Sequence, residues 1–356
     1  MAMTAPSYET DALIIGAGPV GLYQSFQLGL LGMRCHIVDA LPHVGGQCAE
    51  LYPDKPIYDI PGIPVCTGLE LIERLQQQIR PFAHPIHLGQ LVNGLTPSTG
   101  AWLCSTDKGL KFQAKVVVIA AGVGAFVPKT LKLDGAESFL GQQFHYHFES
   151  IKPNKDMRVV VFGGDELALS WAIQLAELDT AYRPNSISLL YRREVLSASA
   201  DTLAKFSALR QAGRVTQYTG QPTQLQADAN GQLAQLCFTA PEGSAHCVSA
   251  STVLAATGLS PKLGPIADWG LAMHTKQLVI DPATSQTSQA GIFAVGDINT
   301  YPGKKKLIAC GFHECIMAAY AAAELVTPGE TGSLQYTTSS ALLQRRLGLT
   351  PSIRSE

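Results

Sequence analysis

None of the eight cysteines is part of a Cys-x-x-Cys pair. That absence removes the zinc-ribbon and thioredoxin-like dithiol patterns, and the scattered thiols read as mostly buried, free side chains of a reducing compartment. No apolar run is long enough to cross a bilayer; the longest, Val116 to Val127, is short and broken by glycine. The start, Met1 to Asp11, lacks a basic stretch followed by an apolar core, so no targeting segment is expected. Charge is also sparse. Charged residues make up 15% of the chain and the formal net charge is -2, which gives no broad basic field for nucleic acid or an anionic membrane. A soluble, cytoplasmic protein is expected. Hydrophobic residues reach 46% over 356 residues, enough for two cored domains and against disorder.

The first 40 residues carry one β-α-β unit. The apolar run Ala12 to Ile15 leads into Gly16, Gly18 and Gly21 in GxGxxG spacing, a helical pattern reaches about Leu31, and the strand Cys35 to Val38 ends in Asp39. In that context the first glycine permits the tight turn, the second lets a pyrophosphate touch the backbone, and the third lets helix and strand pack closely. The helix N-terminus offers free N–H groups to phosphate, and Asp39 stands where a ribose diol is expected. A long Gly-, Pro- and Tyr-rich segment, Pro42 to Pro64, includes Gly45-Gly46-Gln47. Near the other end, Gly296-Asp297 precedes a helix. Asp297 suits a ribityl chain, and the helix start suits the flavin N1–C2 carbonyl, where charge gathers on reduction; an N-cap role for Asp297 is compatible with this.

A second unit opens at Arg158. The strand Val159 to Phe162 runs into Gly163-Gly164-Asp165-Glu166-Leu167-Ala168, so an aspartate replaces the middle glycine. A carboxylate there is bulky and repels pyrophosphate, and scaffold-only retention of the unit stays open. Arg192 and Arg193 end the next strand, where two guanidiniums favour an adenosine 2′-phosphate, hence NADP over NAD, although a solvated basic strand end has the same sequence.

Several motifs together resemble the ferredoxin–NADP reductases of thioredoxin-reductase-like type, nearly end to end. They are IIGAGPVG from Ile14, GGQCAELYP from Gly45, IYDIPG from Ile57, LLYRRE from Leu189, LGPIADWGL from Leu263, GIFAVGDINTYPGKKKLIACGF from Gly291 to Phe312, and YTTSS from Tyr336. The resemblance implies an α/β chain of two three-layer Rossmann-type domains. The FAD domain would cover 1–124 and 259–356, with an NADP domain, 125–258, inserted. It implies FAD contacts at Asp39, Gly46, Gln47, Tyr52, Val92, Phe126, Asp297 and Thr338, with NADP at Gly163, Gly164, Arg192 and Arg193. Tyr52 and Tyr336 would stack on opposite faces of the isoalloxazine, Tyr336 from the tail of the second subunit of a homodimer. The implied activity takes hydride from NADPH to FAD and passes single electrons to ferredoxin or flavodoxin.

Two positions depart from the pattern: Asp165 for the third glycine, and Ser197 where a further arginine is usual. Where thioredoxin reductases carry their dithiol this chain reads Phe144 to Glu149, and the position that would pair with Cys48 holds Pro53. Disulfide reduction is therefore disfavoured. Lys304, Lys305 and Lys306 read either as a solvated loop or as a docking patch for an acidic carrier. A quinone or free-flavin acceptor, or a flavin-bound sensor that ignores nucleotide, remain alternatives. His145 and His147 lack the further ligands that a metal site needs.

Overall fold

Runs of Val, Ile and Leu with no polar face dictate strands buried on both sides, and helices with one apolar stripe must cover them. The computed structural model describes residues 6–329 and 334–350, apart from the side chains at 126–128, 259 and 261. The chain divides into two compact units, Met1–Phe126 with Pro261–Glu356, and Val127–Ser260.

In the first unit a seven-stranded sheet runs in the order Ile86–His87, Cys35–Val38, Ser7–Ile15, Lys111–Ile119, Ala101–Thr106, Val92–Ser98, with Ile292–Ala294 also beside Lys111–Ile119. Ser7–Ile15 is parallel to both neighbours. The long strand Lys111–Ile119 changes partner along its length: Lys111 to Ala114 pair antiparallel with Ser105 to Trp102, and Val117 to Ile119 pair parallel with Ile292 to Ala294. Alternate residues feed two cores. Ala12, Ile14, Val116, Val118 and Phe293 pack under the helices Pro19–Leu30, Gly68–Ile79 and Ile308–Val326. Leu13, Ile15, Val117, Ile119 and Ile292 pack on the other face against Val92, Phe112, Leu278 and Ile280. The segment expected to be one long loop contains a single helical turn, Gln47–Glu50, and a two-residue strand, Pro56–Ile57, paired with Cys66–Thr67.

The second unit has a five-stranded parallel sheet in the order Phe144–His145, Thr252–Ala255, Arg158–Phe162, Ser186–Tyr191, Thr216–Thr219. The helices Glu166–Glu177 and Ala200–Gln211 cover one face, through Leu169, Ala172, Leu175 and Phe206. The other face meets an antiparallel sheet, Gln221–Ala227, Leu233–Thr239 and Ala245–Ser249, through Leu225, Leu236, Phe238 and Val248. Here one reading from the sequence is corrected. Cys237 and Cys247 are disulfide-bonded, and six cysteines are free. The register makes Cys237 and Cys247 direct cross-strand partners with Cα atoms 4.0 Å apart, a proximity that a spacing of ten residues does not reveal.

The glycine loop of the first unit is held by contact distance. A Cβ on Gly21 would lie 1.9 Å from the Gly16 carbonyl oxygen, so helix and turn meet backbone to backbone. Gly21→Ala is expected to destabilise the protein by about 2 kcal/mol or more. A denaturant midpoint unchanged from wild type would contradict that contact.

Candidate functional site

A cavity in the first unit gathers most of the expected residues. Its lining includes Gly16, Gly18, Asp39, Gly46, Gln47, Tyr52, Val92 and Asp297. Gly21 lies beneath the loop, fully buried, and plays the packing role expected of it. No cysteine lines the cavity.

The helix Pro19–Leu30 starts at this cavity, and among the described residues no side chain caps its N-terminus. Its N-cap is Gly18, which makes no side-chain cap, Pro19 occupies the first turn, and no acidic residue follows there. A Cβ added to Gly18 would meet nothing closer than the Gly46 Cα, at 3.9 Å. Free N–H groups, a positive dipole end and bare backbone are the features that suit an anion.

Asp39 is held on both oxygens. The Ala17 N–H donates to Oδ2 at 2.6 Å and the Leu41 N–H to Oδ1 at 2.8 Å. A carboxylate has about four acceptor sites, so capacity remains for a diol. Burial raises the Asp39 pKa above the usual carboxylate value, against the pull of those two backbone hydrogen bonds. Gln47 and Asp297, 250 positions apart, approach with Nε2 3.5 Å from Oδ2. The Gln277 amide donates to the Asp297 and Asn299 carbonyls at 3.2 and 2.8 Å, which fixes the turn that presents Asp297. Tyr52 is half-buried, and burial first, then the neighbouring Cys48, pushes its hydroxyl pKa up. The helix Ile308–Val326 also begins at the cavity wall, where Lys306 and Ile308 lie, with no side-chain cap and no acid in its first turn.

Other expectations fall elsewhere. Phe126 has a side chain outside the described residues. Tyr336, 63% exposed, and Thr338 sit in the tail and do not line this cavity. Lys304 is corrected outright as a docking lysine: its side chain is 6% exposed and paired with Glu314, itself 3% exposed. A Lys run reads as surface because nothing local reveals an acid ten residues further on. Gln90, Leu91, Gly122 and Pro265 line the cavity and were missed. The Ala121-Gly122 strand end was the one local signal.

The second glycine loop is built differently. Asp165 is the N-cap of Glu166–Glu177, its Oδ1 accepting from the Ala168 N–H at 3.1 Å. The carboxylate thus occupies the helix end that stays bare in the first unit. Ser197, the other departure, is its neighbour: the Ser197 N–H donates to the Gly164 carbonyl at 2.8 Å. Gly164 is also overlaid by Tyr191, whose ring a Cβ would meet at 2.1 Å. Arg192 and Arg193 are exposed at the strand end, with no hydrogen-bond or ion-pair partner among the described residues. His145 is buried and shares a hydrogen bond with the Gln142 carbonyl, and His147 is exposed.

Two glycine-loop units, one inserted in the other, define a class of two-unit dinucleotide-binding proteins. The pyridine nucleotide-disulphide oxidoreductase profile matches residues 10–324, and the chain belongs to that family. It is 53% identical over 345 residues to the ferredoxin–NADP reductase of Acidovorax sp. strain JS42, covering 96% of each chain. To the ferredoxin–NADP reductase of Leptothrix cholodnii it is 50% identical over 349 residues, covering 98% of this chain and 94% of that one. Among solved structures, thioredoxin reductase of T. acidophilum aligns with a TM-score of 0.55 and 20% identity over 89% of this chain and 98% of that one. Bacillithiol disulfide reductase of Staphylococcus aureus aligns with a TM-score of 0.56 and 16% identity over 88% and 97%. At those identities the structures speak for the fold alone.

As an N-cap, Asp165 stabilises the second unit. Asp165→Ala should lower stability by about 1 kcal/mol, and Asp165→Gly by only a few tenths. Equal losses from the two, measured by urea unfolding, would show that the cap contributes nothing.

Proposed function

We propose that this chain is an FAD-dependent ferredoxin–NADP reductase. The observation that carries this reading is the single cavity where an uncapped helix N-terminus, the bare Gly18 backbone, Asp39, Gln47 and Asp297 converge. A dinucleotide fits that set: phosphate at the Gly18 helix end, a ribose diol on Asp39, a ribityl chain at Asp297. Bound there, FAD supplies the link between two-electron donation by NADPH and one-electron release to a carrier. Gln47 and Gln277 orient the Asp297 turn, Tyr52 provides an aromatic wall, and the start of Ile308–Val326 supplies positive dipole where a flavin gathers negative charge.

Arg192 and Arg193, exposed and unpaired, suit the 2′-phosphate of NADPH. Asp165 at the helix end weakens the hold on pyrophosphate. The carrier is ferredoxin or flavodoxin. A dithiol substrate is disfavoured on chemistry: Cys48 is buried with its thiol pKa pushed up, and among the described residues no cysteine lines the cavity. Among the described residues no helix is long and apolar enough to cross a membrane, and cytoplasmic residence is part of this proposal. So is a homodimer. A hollow among Tyr23, Ile63, Leu71, Leu75, Phe312 and Ile316, rimmed by Arg74, Gln78 and His313, suits a second copy, and Tyr336, exposed in its own chain, suits the partner's cavity.

Two measurements test the reading. The purified protein should be yellow, and Asp39→Ala should weaken FAD binding by about 2 kcal/mol, since the diol loses charge-assisted hydrogen bonds. Unchanged FAD affinity in the variant would remove Asp39 from the site. NADPH should reduce ferredoxin or flavodoxin and leave thioredoxin and small disulfides oxidised, with NADH slower in stopped flow. Rapid thioredoxin turnover without carrier reduction would overturn the assignment.

A further inference from the structure

The helix Ile308–Val326 carries one carboxylate into the core. Glu314, in its second turn, is fully engaged: Oε2 accepts from the Gly296 N–H at 2.7 Å and from the Asn299 amide at 2.7 Å. Oε1 accepts from the Tyr301 hydroxyl at 3.0 Å and from the Lys304 ammonium. Lys304 also donates to the Gly296 carbonyl at 2.9 Å. Both peptide groups of Gly296 are thus gripped by one buried ion pair, at a residue whose φ of +81° favours glycine. A buried pair of this kind seldom adds net stability over an apolar pair, since desolvating two charges costs about what their attraction returns. Its place supplies another reason for it. Gly296, its neighbours Val295 and Asp297, and Lys306 and Ile308 form one wall of the dinucleotide cavity. The pair stands directly behind that wall.

We propose that Lys304 and Glu314 are positioning residues for the flavin end of the dinucleotide: together they lock the Gly296–Asp297 turn, and their balanced charges set the electrostatic background against which the bound flavin is reduced. This rests on the FAD reading above. A flavin gains negative charge on reduction, so an unmatched charge behind the wall must shift its reduction potential with the sign of that charge. Glu314 keeps three hydrogen-bond donors besides Lys304, so its carboxylate remains anchored behind the wall when the lysine is removed. Those same contacts act on Tyr301, where burial, the hydrogen bond to Glu314 and its negative charge push the hydroxyl up to about 12. Tyr301 therefore remains a donor at any working pH.

The test compares purified wild type with Glu314→Gln and Lys304→Met, reading the reduction potential of bound FAD by equilibrium dye titration and the dissociation constant of FAD by fluorescence. Glu314→Gln leaves an unmatched ammonium and should raise the potential. Lys304→Met leaves an unmatched carboxylate and should lower it. Both should weaken FAD binding, by about tenfold, through the loosened turn. Should either variant fail to fold, Tyr301→Phe and Lys304→Arg replace them: the first removes one donor to Glu314 and should lower the potential, and the second keeps the charge and should leave the potential at the wild-type value. Wild-type potentials in Glu314→Gln and Lys304→Met, or shifts of the same sign in both, would overturn the proposal and reduce the pair to scaffold, as would an unchanged potential in Tyr301→Phe or a shifted one in Lys304→Arg. A wild-type protein that binds no FAD would instead overturn the underlying assignment, and the two failures are separable on the wild type alone.

Discussion

The contact on which the first unit depends is that between the Gly21 Cα and the Gly16 carbonyl. It brings the helix Pro19–Leu30 down onto the end of the strand Ser7–Ile15 with no side chain between them. Everything in the cavity follows from that approach. The helix end is bare because Gly18 and Pro19 supply neither cap nor charge. Asp39 reaches the Ala17 N–H because the parallel strand Cys35–Val38 ends one position before it, level with the loop. Gly46 then lies on Gly18, which carries Gln47 to the far side where Asp297 waits. A backbone contact of this kind tolerates no substitution, whereas the apolar residues around it need only fill volume.

The second unit repeats the topology and spends its helix end in another way. Strand, glycine turn and helix are all present, and Gly163 is as confined as Gly16, with Ala168 and Ala256 both 2.7 Å from the position of a Cβ. Yet Asp165 satisfies the Ala168 N–H from within the chain, and Glu166 accepts from the Ser199 N–H at 2.6 Å. One donor of the second helix end, the Ala168 N–H, is thus committed to the fold, whereas the first unit has no such side-chain cap. Any ligand taking this helix end would have to displace a cap worth about 1 kcal/mol, whereas Arg192 and Arg193 lie exposed at the end of Ser186–Tyr191.

What was legible in the sequence was whatever local spacing dictates. GxGxxG between a strand and a helix, an acid at the next strand end, and unbroken apolar runs for doubly covered strands each state their structure within 30 residues. Asp165 was legible as a departure, but its direction was not, because a residue beside a helix start can face a ligand or cap the helix. Lys304 was misread for a related reason. A triple lysine has the composition of a surface, and only the return of Ile308–Val326 beneath its own leading loop turns one of the three inward to Glu314. The Cys237–Cys247 bond depends on hairpin register, which a single sequence leaves open.

The tail shows how one helix couples two ends of the site. Pro19–Leu30 presents its positive end to the cavity, and its negative end is met by Arg346, whose guanidinium donates to the Leu30 carbonyl at 2.5 Å. A cation at a helix C-terminus complements the dipole whose other end faces the cavity. Arg346 belongs to the short helix Ala341–Arg346, capped by Ser340, and Gln344 reaches back to the Thr337 and Thr338 carbonyls. Tyr336 and Thr338 are thus parts of a folded knuckle clamped at the back of the glycine-loop helix. The clamp holds the knuckle at the opposite end of that helix from the glycine loop, so within its own chain Tyr336 is displayed outward. On the homodimer reading, the same clamp that completes one protomer's phosphate helix sets where its tyrosine is offered to the other.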